Sequence, residues 1–278
     1  MSPLFDPGYS RPPFAALVAH YPGPDVYPPE DFRVEWGPIF HRGRLDGSAK
    51  VLVIGQDPGA HESIARRILV GEAGQRVQGF LGKLGIASSY VMINAFLYSV
   101  YGQGGGERHD GDPAIARDRH AWLDALVVDS EVRAVVALGR LADHAFTAWR
   151  ATPTGQDAGV VYRRITHPTF PESASAAGQI DYADAMRSML ADWNDALEIL
   201  RPAIDDPDTS PDPSPYGETL DHDTDLAEIP DRDMPAGTPP WMRSLDAWAA
   251  RVGEDAEDKR ASVEVRVPTS QRPWHDTG

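Results

Sequence analysis

Four short apolar runs stand out along the middle of the chain: Val51–Gly55, Tyr90–Asn94, Ala134–Gly139 and Val160–Thr166. Each has the length of a strand and is followed by a loop rich in glycine, proline or small polar residues. Between them, apolar positions recur at helical spacing over Val77–Leu84, Ala114–Val128 and Leu141–Trp149, and again over Ile180–Leu200. Continuous apolar strands alternating with helices predict an α/β fold: a three-layer α/β/α unit with a central four-stranded parallel sheet covered on both faces. Ligands of such sheets sit beyond the carboxyl ends of the strands. That rule singles out the loops Gln56–His61, Asn94–Ser99, Gly139–Arg140 and His167–Ser173.

The flanks read differently. The first 40 residues hold nine prolines and several aromatics, so residues 1–44 are expected to wrap the core as an irregular Pro-rich segment. Residues 45–200 form the α/β/α unit. Residues 201–278 form an acidic extension with 18 acidic residues, 8 basic residues and 11 prolines. Its start, Asp205-Asp-Pro-Asp-Thr-Ser-Pro-Asp-Pro-Ser-Pro, is too polar to offset its ordering entropy and is read as a solvated linker. A short amphipathic helix is expected over 239–252, with Trp241, Leu245, Trp248 and Val252 on one face. Ser262–Val267 alternates at period two and reads as an edge strand. Both pieces are expected to fold back onto the main unit.

Composition narrows the chemistry. The 278 residues include 42 acidic and 26 basic ones, a formal charge of −16. There is no cysteine, which excludes disulfides, iron–sulfur clusters, Cys-ligated zinc and a thiol nucleophile. No His and carboxylate cluster has metal-ligand spacing, so no cofactor is expected. No apolar run approaches the roughly 18 residues of a membrane span, and Met1-Ser-Pro-Leu-Phe-Asp-Pro-Gly lacks the features of a signal peptide. A cytoplasmic monomer without a membrane partner is the expectation.

Three strand-end loops carry unusual residues: Gly55-Gln-Asp-Pro-Gly, Met92-Ile-Asn-Ala-Phe and Thr166-His-Pro-Thr-Phe-Pro. In order and separation they resemble the uracil-DNA glycosylase superfamily, whose uracil-specific branch carries Gly-Gln-Asp-Pro-Tyr-His, Leu-Asn-Ala and His-Pro-Ser-Pro-Leu. The stretch Gly59-Ala-His-Glu-Ser with Leu69-Val-Gly-Glu-Ala-Gly is similar instead to the iron–sulfur branch, but the cluster cysteines are missing. Taken singly, Asp57 before Pro58 is a turn cap, Asn94 a strand-end residue and His167 a loop histidine. Three motifs in order favour a site.

The resemblance implies a monofunctional DNA glycosylase. Asp57 is then expected to hold a water under the anomeric carbon, His167 to donate to the departing base, and Asn94 to pair with the edge of an extruded pyrimidine. The backbone amide of Gln56 adds a contact to the base. His61 divides between water positioning and a surface role. Gly59 replaces the tyrosine that excludes thymine, and Leu69 replaces an aromatic beneath the base, which points to uracil or a C5-modified pyrimidine as substrate. Gly59 has a plainer reading as a tight-turn residue. Phosphate contacts are expected from Arg66, Arg67, Arg140, Arg163, Arg164 and Thr169. Phe170, beside Pro171, is the candidate wedge into the base stack. Of the three lysines, Lys50 and Lys83 lie outside the motif loops and Lys259 lies in the tail, so Schiff-base chemistry is disfavoured. DNA is the expected partner. Housekeeping repair, defence against phage with hypermodified cytosine, and a non-cutting base binder stay open.

Overall fold

A computed structural model describes residues 9–101, 106–254 and 258–272. Strands β2 (Val51–Gly55), β3 (Tyr90–Asn94), β4 (Ala134–Leu138) and β5 (Val161–Ile165) are parallel in the order β3-β2-β4-β5. Their side chains alternate between two cores. Val51, Val53, Met92, Val136 and Ile165 pack against α3 (Glu72–Lys83) and α8 (Tyr182–Leu200) through Phe80, Met189 and Trp193. Leu52, Ile54, Val91, Val135 and Ala137 face α4 (Pro113–Val127) and α5 (Arg140–Arg150) through Trp122, Phe146 and Trp149. Both faces of β2, β3 and β4 are therefore buried, which is why these strands read as unbroken apolar runs.

The sheet has a fifth strand that the apolar pattern does not announce. Two residues, β1 (Arg42–Gly43), pair antiparallel with Met92 and Val91 at the sheet edge. Glycine is required here: Gly43 sits at φ +96°, and a Cβ would lie 2.3 Å from the Tyr90 carbonyl oxygen. The remaining elements of the unit are α1 (Phe14–Ala19), α2 (Ala60–Ala65), α6 (Pro153–Asp157) and α7 (Phe170–Ala176). No helix among the described residues is long and apolar enough to cross a membrane.

The extension departs from expectation. Its opening stretch is a strap held to the body, not a solvated linker. Asp208 Oδ2 accepts the backbone N–H groups of Ala87, Ser88 and Ser89 at 2.9, 2.6 and 2.8 Å, and with the Ser89 hydroxyl these hold its carboxyl down at about 2. Lys83 pairs with Asp212 and Asp225 at 3.1 Å each. The acidic residues here serve as ties to exposed amides and lysines. The helix expected over 239–252 does not form. Pro240–Arg243 is a single 3₁₀ turn, and Ala249–Arg251 is a strand (β6) paired antiparallel with β7 (Val263–Val265) in a separate two-stranded sheet. Trp241 and Trp248 pack edge-to-face at 5.7 Å, whereas Val252 is exposed.

One buried ion pair binds the extension to the main sheet. Arg42 Nη1 and Asp233 Oδ2 lie 3.1 Å apart with both side chains fully buried. Arg42 also donates to the Ile68 carbonyl at 2.8 Å and to Gln78 Oε1 at 3.2 Å, and the Tyr90 hydroxyl donates to Asp233. Removing one partner leaves an uncompensated charge in the core. Asp233→Ala is expected to lower unfolding free energy by about 3–5 kcal/mol, while Arg42→Met with Asp233→Leu loses far less. Urea melts of the three proteins check this; equal losses in both variants would contradict it.

Candidate functional site

The strand order places a topological switch between β2 and β4, since β3 lies on one side of β2 and β4 on the other. Two glycines end the strands at that point. The Asn94 amide oxygen lies against Gly55, where a Cβ would approach it to 2.3 Å. The His167 side chain rests on Gly139, whose Cβ would come within 3.4 Å. Asn94 thus leans from β3 toward β2, and His167 leans from β5 onto the end of β4. Neighbouring strands are about 4.8 Å apart, so the two side chains stand over the ends of the adjacent strands β2 and β4, and Asp57 follows β2 by two residues.

Asp57 is partly exposed. Its Oδ2 accepts the Val100 backbone N–H at 2.9 Å, and Oδ1 accepts from Gln56 Nε2 at 3.2 Å. Burial pushes its carboxyl up to about 6, against the lowering effects of the Val100 amide and Arg251. Asn94 is only 3% exposed, and its amide has no hydrogen bond among the described residues.

His167 shows the opposite tuning. Its Nδ1 accepts the Thr169 N–H at 3.3 Å and faces the Thr169 hydroxyl at 3.1 Å. Acceptance at Nδ1 puts the proton of the neutral ring on Nε2. Burial, followed by the charge of Arg76, holds the ring down at about 4. The loop is anchored from three sides. Arg76 donates to the Pro168 carbonyl and pairs with Glu172 at 2.7 Å. Asp192 accepts the Thr166 N–H at 2.6 Å, and Trp193 Nε1 donates to the Thr166 carbonyl at 2.9 Å. These α3 and α8 residues carry no motif and escape sequence reasoning.

Several expected roles change. His61 does not sit on the surface as a free side chain. Its Nε2 accepts the backbone N–H groups of Trp248 and Ala249 at 3.3 and 3.2 Å, and its ring meets Trp248 edge-on at 4.8 Å. Burial holds it unprotonated down to about 4. Gly59 is not in a tight turn; its backbone is extended, and a Cβ would meet Glu62 Oε2 at 2.7 Å. Glu62, whose carboxyl burial raises, accepts from the Gly59 and Val70 amides at 3.0 and 3.1 Å. Gly59 has no side chain to accept the N3 amide in return, so only the Glu62 half of a capping box forms. Leu69 packs into the core at a left-handed φ of +53°, a rare conformation for leucine.

The proposed phosphate contacts divide sharply. Arg66 reaches back to the Trp36 and Pro38 carbonyls at 2.6 and 2.5 Å. Arg67 is buried and donates to the Arg66 carbonyl at 2.6 Å. Arg140 pairs with Glu107 and Asp110, and Arg163 with Asp192. Arg164 is exposed. Thr169 is engaged by His167. Phe170 is half-buried at the start of α7, and Pro171 is buried beside it. A cavity of about 300 Å³ adjoins the edge, lined by Ala95, Phe96, Arg119 and Leu141; none of Asp57, Asn94 and His167 lines it. Among the described residues, no group of three His, Asp or Glu is placed to hold a metal ion.

The family model described as Uracil DNA glycosylase superfamily matches residues 42–193, more than half of the chain. No curated protein matches it. The match begins at β1 and ends on α8, so it encloses all three motif loops.

Asp57 has a thermodynamic signature of its own. A carboxyl whose folded pKa exceeds its unfolded value destabilises the fold when ionised. That penalty is full above about pH 6 and fades as pH falls toward 3.8. Asp57→Asn is therefore expected to raise Tm at pH 7.5 and to lose that gain progressively as pH falls below about 6 toward 3.8. A lower Tm at pH 7.5, or a pH-independent change, would contradict the burial account.

Proposed function

This chain belongs to the uracil DNA glycosylase superfamily, which points to DNA glycosylase activity with DNA as substrate. On that premise we propose that it is a monofunctional glycosylase that hydrolyses the N-glycosidic bond of uracil or a C5-modified pyrimidine and leaves an abasic site. What carries the reading is the opposed tuning of Asp57 and His167. Near neutral pH the carboxyl, at about 6, is largely ionised, and the imidazole, at about 4, is neutral with its proton on Nε2.

Bond cleavage builds positive charge on the sugar and negative charge on the departing base. The Asp57 carboxylate offsets the first, orients a water toward C1′ and takes its proton as the C–O bond forms. A carboxylate titrating near 6 is a better proton acceptor than an ordinary one. The His167 Nε2–H donates to the base O2 as the C–N bond breaks and the electron pair moves into the ring. The Asn94 amide, unoccupied among the described residues, pairs with the Watson–Crick edge, and the Gln56 backbone amide adds a second contact. Phe170 fills the gap left in the stack, and Arg164 approaches a phosphate. Gly59 carries no side chain where the uracil-specific branch has its tyrosine, so the proposed substrate extends to pyrimidines wider than uracil at C5; Leu69, packed in the core, adds nothing to that. Phage DNA with hypermodified cytosine supplies one such base, which makes defence the role to test against repair.

Hydrolysis is favoured over lyase chemistry because Lys83 is tied to Asp212 and Asp225, and Lys50 to Asp206. Lys259 needs a direct test: although in the tail, its main-chain carbonyl accepts from Arg33 at 3.3 Å, and its side chain is exposed. Borohydride trapping on substrate DNA is expected to give no adduct; a Lys259-dependent adduct would contradict simple hydrolysis.

Base release on DNAs carrying uracil, mismatched thymine, hydroxymethylcytosine or glucosylated hydroxymethylcytosine, read by alkaline cleavage, tests the whole. At least one DNA is expected to be cut, and Asp57→Asn to slow release by about 10²–10⁴-fold. The acid limb of the rate profile is expected near pH 6, with no limb from His167 above pH 5. Failure on every DNA would favour the non-cutting binder.

A further inference from the structure

The residues after 201 have the wrong net charge for DNA, yet they bring one arginine to the Ser99–Val100 stretch that holds Asp57. Arg251, at the end of β6, donates from Nη2 to Ser99 Oγ at 2.8 Å. The neighbouring Val100 N–H holds Asp57, so Arg251 and the carboxylate share one short stretch of backbone. The Arg251 guanidinium lies 5.8 Å from the Trp36 ring centre, and Arg33 lies 4.7 Å from the same ring. The two like charges repel each other, and the Asp57 and Glu35 carboxylates offset that only in part.

The two arginines differ in what they have left to give. Arg33 is 2% exposed and spends its donors on Val100 O, Ser99 Oγ and Lys259 O. Arg251 is half-buried, and Ser99 is its one side-chain hydrogen-bond partner among the described residues. The remaining face of its guanidinium is available. Four of the basic residues expected to bind phosphate, Arg66, Arg67, Arg140 and Arg163, are already committed to protein groups.

The hairpin is also fixed in place. His61, four residues beyond Asp57, accepts both the Trp248 and Ala249 amides. Trp248 and Ala249 pack with Ala65 and Val70 in one apolar cluster. Arg251 therefore stands at a set position relative to Asp57 before any ligand arrives, which lowers the ordering cost of using it.

We propose that the C-terminal extension is a DNA-binding part of the active site, with Arg251 contacting a phosphodiester of the strand that carries the extruded nucleotide. The proposal rests on the glycosylase reading for its ligand. It assigns the acidic extension a positive contact beside the Asp57 loop.

Binding of the full chain to a short duplex with one central uracil, measured across a salt series in the Asp57→Asn background, tests it. Each lost phosphate contact lowers the slope of log affinity against log salt by about one. Arg251→Ala is expected to weaken binding several-fold and reduce the slope by about one, and Arg251→Lys to restore most of it. His61→Ala, which keeps the arginine but removes its latch, is expected to lose the same slope and to expose the extension to trypsin. An unchanged slope in Arg251→Ala would overturn the proposal, as would a loss confined to His61→Ala. Base release by the protein with Asp57 intact is scored separately on the same duplex and on the modified DNAs: no release from any of them would sink the glycosylase reading and leave the slope to judge Arg251.

Discussion

A carboxylate half-withdrawn from water at the end of an apolar sheet is the constraint around which this structure is arranged. Water solvates a charge far better than protein does, so Asp57 needs compensating groups. The Val100 amide, the Gln56 side chain and the nearby Arg251 supply them in part. The remainder appears as a raised proton affinity. The same burial that lifts Asp57 lowers His167, and the Thr169 amide selects which imidazole nitrogen holds the proton. One low-dielectric edge thus sets two protonation states in opposite directions.

Distant parts of the chain are recruited to hold that edge. Arg76 and Asp192, on helices packed against one face of the sheet, clamp the His167 loop. Glu62 ties the Gly59 amide after Asp57 to the Val70 amide, next to the left-handed Leu69. The acidic extension is the other brace, joined to the sheet through the buried Arg42–Asp233 pair and to the Asp57 loop through His61. Asp208 satisfies backbone amides of the body, and Asp206, Asp212 and Asp225 pair with its lysines, which reconciles a strongly acidic segment with a folded position.

Much of this was legible in the amino-acid order. The four parallel strands were readable because burial on both faces leaves unbroken apolar runs, and the strand-end motifs marked Asp57, Asn94 and His167 as candidates. What was not legible depends on contacts between residues far apart. A two-residue strand such as Arg42–Gly43 has no periodicity to detect. Trp241, Leu245 and Trp248 have helical spacing, but extended backbone wins where His61 captures two successive amides. Arg66 and Arg67 look available for phosphate until the Trp36, Pro38 and Arg66 carbonyls are found to be their partners. Arg251 offered no local signal, because its meaning comes from the hairpin that carries it to Ser99.

The central claim is that a single edge keeps Asp57 ionisable near neutrality while holding His167 neutral with its proton on Nε2. An NMR titration of the Asp57 carboxyl carbon and the His167 ring nitrogens in the free protein tests it most directly. The account predicts an Asp57 midpoint near 6 and a neutral, Nε2-protonated His167 ring down to about pH 5. An Asp57 midpoint at the ordinary 3.8, or a His167 ring titrating at the ordinary 6.5, would contradict it.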